Sequence, residues 1–292
     1  MDRQIDAVFE GGGIKGIAHL GAAQAFLDKG YSFRRVAGSS AGAMVAALLG
    51  AGYSGAEAFS AIKSISEDDV TKGSHLHHFL GKAVKTVLSY GLYGTQAFEN
   101  IIASLLKEKG VVTFSDTKSE VKVAVADISE KRVFTFPDDL PFFGIDPKAF
   151  PVARAVAMSA AFPGFFEPFT LKDTEGRTHY LVDGGLMANL PLYIFNASPS
   201  LFGLKLGKSN QYNKINAFHG YITMLAETAL DSEDLECSAR ALSRGARIFE
   251  LPTEITDDNG QQKKVSTLEF SLTETERKAL YTGGYNAVKG RI

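Results

Sequence analysis

Apolar positions along the chain fall alternately into short runs and helical repeats. Ile5 to Phe9 is an apolar run that ends in a glycine stretch, the pattern of a short strand. Ile17, Leu20, Gly21, Gln24 and Leu27 then recur at helical spacing, and Gly30 marks the stop. Phe33 to Ala37 predicts a second strand, Gly38 to Gly42 a turn, and Ala43 to Leu49 a second helix. From Ser54 to Lys109 the pattern is helical, with breaks near Gly73 and from Gly91 to Gly94. Val121 to Asp127 and Arg132 to Phe136 read as strands joined by a short turn. A loop rich in Pro and Phe follows to Pro151, then a small-residue helix from Val152 to Ala161 and a strand from Tyr180 to Val182. Leu201 to Leu206 and Arg247 to Leu251 are later strands, with helical pattern between them and from Glu274 to Lys289. Asp257 to Lys264 reads as a charged surface loop.

Short strands alternating with helices predict an α/β fold with a largely parallel sheet. No repeat, low-complexity tract or shift in composition marks a boundary, so a single domain over residues 1–292 is expected. The segment from about 54 to 109 is a candidate helical lid within it.

Composition narrows the class. At 45% hydrophobic and 22% charged residues the chain is an ordinary globular protein, with length enough for a sizeable core. The net charge of −2 gives no electrostatic reason to expect a nucleic-acid partner. Cys237 stands alone, which excludes an internal disulfide and a multi-Cys zinc site and fits a reducing compartment. The start, MDRQIDAVFEGGG, lacks the charged stretch and apolar core of a signal peptide, and no run of about 18 apolar residues occurs. The expected location is cytoplasmic, or secreted without a cleaved signal.

Candidate chemistry sits in three glycine-bearing turns. Gly38-Ser39-Ser40-Ala41-Gly42 lies between a strand and a helix, the context in which G-x-S-x-G makes a nucleophile elbow. Ser40 would then stand at a helix N-terminus, where free N–H groups and the dipole favour an oxyanion. Gly11, Gly13 and Gly16 match a dinucleotide fingerprint, but no acid stands about 20 residues on, where Val36 to Ser40 occur. A P-loop is excluded because Ile17 follows Gly16 where Lys is required. The other reading of this loop is an oxyanion hole made of successive backbone N–H groups. Asp183-Gly184-Gly185 ends a strand and leaves a carboxylate open to close approach; by itself it also reads as a plain turn.

Taken together, GGGIKG (Gly11 to Gly16), GSSAG (Gly38 to Gly42) and DGG (Asp183 to Gly185) resemble the three signature blocks of the patatin-like phospholipase family, in order. A fourth stretch, Ala157 to Pro163, resembles the Ala/Ser-rich helix and proline that precede the family's DGG, and VDGGLMANLP (Val182 to Pro191) resembles its extended form. The resemblance covers about residues 5–191, and residues 192–292 are matched only weakly. It implies a three-layer α/β/α sandwich and a Ser–Asp dyad without a catalytic His, a metal or another cofactor. Carried over by position, Ser40 is the nucleophile, Asp183 the base, Gly11, Gly12 and Gly13 the oxyanion hole, and Lys15 the basic position of the glycine block. Gly16, Gly38, Gly42, Gly184 and Gly185 are supporting motif positions. The implied substrate is a fatty acyl ester, chiefly of glycerophospholipids, with peripheral membrane contact. An acyltransferase, a general carboxylesterase, and a non-catalytic nucleotide- or membrane-binding module are the rivals.

Other residues change the picture little. His19 reads as structural, and His219 carries no motif. His75, His77 and His78 cluster near Lys72 without a carboxylate or Cys at ligand spacing. His179 is the one histidine placed to challenge a dyad, since residues 179, 181 and 183 share a face of a regular strand. The dense phenylalanines from Phe134 to Phe169 fit either a core or the wall of an acyl-chain pocket.

Overall fold

The apolar run ahead of the glycine loop forms β1 (Arg3–Phe9), and the helical repeat behind it forms α1 (Ile17–Asp28). They are followed by β2 (Tyr31–Ser39), α2 (Ala41–Gly50), α3 (Gly55–Ile62), β3 (Gly91–Tyr93), α4 (Gln96–Glu108), β4 (Glu120–Asp127) and β5 (Arg132–Phe136). Next come α5 (Val152–Ser159), β6 (Gly164–Phe166), β7 (Phe169–Lys172), β8 (Thr178–Asp183) and β9 (Leu201–Leu206). The chain continues through α6 (Phe218–Leu230), α7 (Leu235–Ser243), β10 (Arg247–Leu251), β11 (Glu254–Thr256), β12 (Gln262–Lys264) and α8 (Glu274–Lys289). This computed structural model describes residues 3–63, 65, 69, 91–195, 198–208, 215, 218–230, 235–258, 260–267, 269 and 271–292.

Strands β10, β9, β1, β2 and β4 run parallel in that order. Strands β5 and β8 are antiparallel to β4, and β7 is antiparallel to β8. The pairing of β4 positions the site. Its residues through Ala124 pair with β2, ending at Ser39, while Val125 to Asp127 pair with β8, beginning at Asp183. Strand β5 covers Val123 to Asp127 and so must take the opposite edge. Strand β8 therefore continues the edge on which β2 stops, and Asp183 meets the residue next to Ser39's partner.

Both faces of the sheet are covered, as parallel strands require. On one face Ile5, Ala7, Phe9 and Val36 join the main core with α1, α2, α5 and α8. On the other, Val8, Ala37 and Leu201 pack on Leu192, Phe195 and the α7 residue Ala241. The three-layer expectation holds, with one helical layer much the larger. The weakly matched C-terminal part supplies two strands of the parallel sheet, and α8 closes on α1. A Cβ at Gly284 would lie 1.9 Å from the Ala18 carbonyl oxygen, so the two helices touch backbone to backbone there.

Several short strands escaped the sequence pattern. The small strands β6 and β7 flank a proline and have too few residues to show a period. The stretch read as a charged loop ends in β12, which pairs with β11 just before that stretch in a hairpin pinned by Lys263 to Glu269 and Glu276 and by Lys264 to Glu254. Of the candidate lid, α3 and α4 are packed into the core through Ala58, Ile62, Ile102 and Leu106. Residues 70–90 of it, with Lys72, His75, His77 and His78, lie outside the described residues. Among the described residues no helix is long and apolar enough to cross a membrane.

The α1–α8 crossing has no room for a side chain. Gly284→Val is expected to lower the unfolding free energy by roughly 3 kcal/mol or more in urea melts, as severe overpacking does. Gly290→Ala, with nothing within 4 Å of the added Cβ, should stay within about 0.5 kcal/mol of the parent. Equal effects would show that the crossing carries no special constraint.

Candidate active site

Ser40 stands at the sharp turn from β2 into α2, with φ 51° and ψ −125°. A left-handed φ is costly for a non-glycine residue, and such strain is characteristic of a nucleophile elbow. Small neighbours make the turn possible: a Cβ at Gly38 would lie 2.3 Å from the Gly42 carbonyl carbon, and one at Gly42 would lie 2.1 Å from the Phe9 carbonyl oxygen. Ser159, at the end of α5, ties the elbow down. Its Oγ accepts the Ser40 N–H at 2.9 Å and donates to the Ala124 carbonyl at 2.6 Å.

Asp183 arrives at the end of β8, 1% exposed, and accepts the Ser40 hydroxyl on Oδ2 at 2.6 Å. Its Oδ1 accepts the Gly185 N–H at 2.8 Å, and its own N–H donates to the Ala161 carbonyl at 3.0 Å. Gly184 lets this turn lie against β4, since a Cβ there would be 2.1 Å from the Ala124 carbonyl oxygen. Gly185 is packed against Leu230 and Asn189. Burial pushes the Asp183 carboxyl up from its ordinary 3.8 to about 7, against the smaller opposing pull of the Ser40 and Gly185 hydrogen bonds.

The glycine loop lies over the same end of the sheet. Gly11, one of the three expected oxyanion donors, does not have its N–H to spare: it donates to the Asn189 carbonyl at 3.0 Å, because the 184–191 segment lies against the end of β1. Gly12 and Gly13 begin the 3₁₀ turn Gly13–Gly16, where N–H groups have no intrahelical acceptor, and Gly13 lines the pocket beside Ser40. Ala41, first residue of α2, lines it as well. Its N–H was not singled out from the sequence, although the residue after an elbow nucleophile commonly donates to the oxyanion. Lys15 is buried, with its Cε 3.4 Å from where a Gly12 Cβ would stand, and Gly16 faces Ala41. Asn189, which reads in the sequence only as a turn former, does more than turn the chain. Its carbonyl accepts both the Gly11 N–H and the Ser39 hydroxyl, and its amide donates to the Leu230 carbonyl at 2.8 Å.

Ser40 and Asp183 open into a narrow apolar pocket of about 110 Å³. Ile62 of α3, Met44 of α2, and Phe98, Ile101 and Ile102 of α4 form much of its wall. The phenylalanine-rich stretch divides: Phe134, Phe136, Phe143 and Phe150 are core, while Phe162 and Phe166 face the pocket. Thr267 completes the rim, and its carbonyl accepts the Ile14 N–H.

The patatin-like phospholipase family profile matches residues 7–196 of the chain. The chain belongs to the patatin-like phospholipase family. A relative from Bacillus subtilis (strain 168), the uncharacterised protein YqhO, is 36% identical over 287 residues, covering 93% of this chain and 97% of that one. The uncharacterised protein R571 of Acanthamoeba polyphaga mimivirus is 23% identical, covering 97% of this chain and 91% of its own. Among solved structures, VipD from Legionella pneumophila superposes with a TM-score of 0.58 at 18% identity, and the type III effector protein ExoU from Pseudomonas aeruginosa with 0.51 at 17%. This chain is covered to 99% in both, but spans only 66% of VipD and 52% of ExoU. These likenesses carry the fold.

Neither His179 nor His19 has its hydrogen bonds on Ser40 or Asp183. His179 shares a strand face with Asp183, as anticipated, but is held roughly 13 Å further along the strand. Its Nδ1 meets Asp127 at 2.8 Å and its Nε2 meets Asp173 at 3.2 Å. Burial pulls its pKa down, but the two carboxylates outweigh that and hold it above the ordinary value. Asp127, Glu130 and His179 also bring one potential metal-ligand atom each within 4.8 Å of one another. That grouping is invisible as a spacing in the sequence because it joins β4 and β8. His19 is fully buried on the glycine-loop side, with Nε2 on the Glu10 carbonyl at 2.9 Å. Burial pushes its pKa down to about 4, partly offset by that carbonyl, so it is neutral at pH 7.

The role of base assigned to Asp183 would require it to be ionised, and with a pKa of about 7 that role predicts a pH limb. The kcat/KM for a soluble ester should rise with pH through about 7, and a limb near the ordinary carboxylate value would refute the assignment. Stability runs the other way. The folded-state value lies above the ordinary 3.8, so the cost of ionising Asp183 sets in above pH 3.8 and is complete above about 7. Asp183→Asn should therefore raise the Tm more at pH 8 than at pH 5.

Proposed function

We propose that this protein hydrolyses fatty acyl esters, chiefly of glycerophospholipids, through an acyl-enzyme on Ser40 with Asp183 as the side-chain base. The observation that carries the reading is the 2.6 Å hydrogen bond from Ser40 Oγ to the buried Asp183 carboxylate, at the mouth of an apolar pocket. A neutral serine is a weak nucleophile and needs an adjacent base within hydrogen-bond reach. Here that base is a carboxylate whose affinity for a proton burial has raised.

In this mechanism Ser40 Oγ attacks the ester carbonyl carbon as its proton passes to Asp183. Negative charge moves to the carbonyl oxygen, where the N–H groups of Gly12, Gly13 and Ala41 receive it. Collapse of the tetrahedral intermediate breaks the bond to the leaving alkoxide, which takes the proton from Asp183 and departs as an alcohol. Water then gives a proton to Asp183 and attacks the acyl-Ser40 carbonyl. The second collapse returns the proton to Ser40 Oγ and releases the fatty acid. The pocket favours an acyl chain, because its walls beside the reacting pair are chiefly apolar. The substrate would be met at a membrane surface, which makes the contact peripheral.

A fluorophosphonate probe should label the protein on Ser40, as read by peptide mapping, and Ser40→Ala should abolish labelling and release of fatty acid from a lipid panel. An adduct on Ser39, or none on an active sample, would sink the proposal. The same assay with added alcohol separates hydrolysis from acyl transfer. Asp183 is the one carboxylate among the described residues lining the pocket, too few ligands for a divalent cation. Cleavage of a soluble ester should thus survive EDTA, and a loss restored by calcium would contradict this part.

The oxyanion donors give an independent check. Gly12→Ala places a methyl group 2.5 Å from Leu206 Cδ1 and displaces the loop. It should lower kcat by about 10²-fold, the usual cost of one lost donor, in a protein that still melts cooperatively. Near-normal kcat would move the oxyanion site elsewhere.

A further inference from the structure

A second and larger apolar space lies beyond the wall of the Ser40 pocket. It measures about 500 Å³ and runs between β8 and α6, on the face of the sheet opposite to Asp183. Its floor is Val182, the strand neighbour of Asp183, and successive strand residues point to opposite faces. Pro163 and Phe166 form one side, and Ile222, Leu225 and Ala226 of α6 form the other. Phe166 belongs to both spaces. The segment from Ala161 to Phe166 crosses the end of β8, anchored by the Asp183 N–H on the Ala161 carbonyl. Phe166 in this segment stands between the two spaces.

We propose that this groove receives the second acyl chain of a diacyl glycerolipid whose first chain enters the Ser40 pocket. The inference rests on the reading of Ser40 as an acyl-ester nucleophile. Among the described residues no charged side chain lines the groove, so they offer a head group no partner there. Three large apolar side chains on its walls remain in water, with Ile128 48%, Tyr180 38% and Leu225 50% exposed. Covering them with hydrocarbon is favourable in proportion to the area removed from water. Size assigns the two roles. A cavity of roughly 150 Å³ holds a benzene-sized molecule, so 110 Å³ beside Ser40 takes a short stretch of chain, whereas 500 Å³ takes several times that length. Esters on adjacent glycerol carbons set two chains side by side, and a lipid straddling Phe166 would place one on each side of this ring.

The test uses ligands that cannot be cleaved. A short-chain dialkyl ether phosphocholine, kept below its critical micelle concentration, is titrated calorimetrically into the full chain beside its single-chain counterpart. Burial of two methylene groups is worth about a factor of ten in affinity, so the two-chain ligand should bind at least about tenfold more tightly. Leu225→Asp, at a half-exposed position that tolerates the change, should erase that difference. Equal affinities for the parent protein overturn the inference, as does a variant that keeps the difference or weakens both ligands alike. If Leu225→Asp abolishes vesicle binding or a concentration-dependent dimer while the difference persists, the groove serves a bilayer or a second copy, and the inference also falls. Ether ligands report on the groove without bond cleavage, so its failure is distinct from a missing adduct on Ser40.

Discussion

The structure turns on one buried hydrogen bond, from Ser40 to the Asp183 carboxylate. Burying a lone carboxylate is unfavourable unless hydrogen bonds or a proton compensate. Asp183 has the Ser40 hydroxyl and the Gly185 N–H, and these only partly offset burial, so its proton affinity stays raised. That residual imbalance is useful chemistry. A carboxylate at its ordinary pKa would be a feeble base toward a serine hydroxyl, and one paired with an arginine would be weaker still. On the proposed reading, desolvation does here what an imidazole does at other sites.

Everything nearby serves to bring those two side chains together. Strand β4 offers one edge to two partners in succession, and Ser39 and Asp183 fall on consecutive residues of it. Ser159 bonds the elbow to the same strand. Asn189 joins the glycine loop, the elbow and the end of α6. Around them the backbone closes too tightly for a β-carbon at three positions, which explains the glycines Gly38, Gly42 and Gly184.

A second buried titratable group is treated in the opposite way. His179 lies between Asp127 and Asp173, and Asp173 is itself bound by Arg177 at 2.6 Å. Two carboxylates outweigh burial and raise the imidazole's pKa above its ordinary value. This arrangement joins β8 to the far end of β4 and to the turn after β7, and stands apart from the reacting groups. Removing the histidine would take one partner from each of two buried carboxylates, a loss of up to roughly 3–5 kcal/mol where buried pairs have been broken. An activity defect in such a variant would therefore report stability before chemistry.

The local chemistry was legible in the sequence because it depends on residues close in the chain. Apolar runs and glycine punctuation marked β1, β2, β9, β10 and α8, and the three glycine-bearing turns carried the family resemblance. Whatever depends on chains meeting across the fold was not legible. That Gly11 has given its N–H to Asn189, that His179 is claimed by two aspartates, and that Ser159 supports the elbow all arise between residues distant in sequence. Neither did the phenylalanines reveal which of them line a pocket, since core and pocket walls share one composition. Ser40 and Asp183 are 143 residues apart, and only the pairing of β2 and β8 on one edge of β4 sets them 2.6 Å from each other. Residue types and local spacing determine which groups are capable of chemistry; strand pairing and burial decide which of them meet, and with what proton affinity.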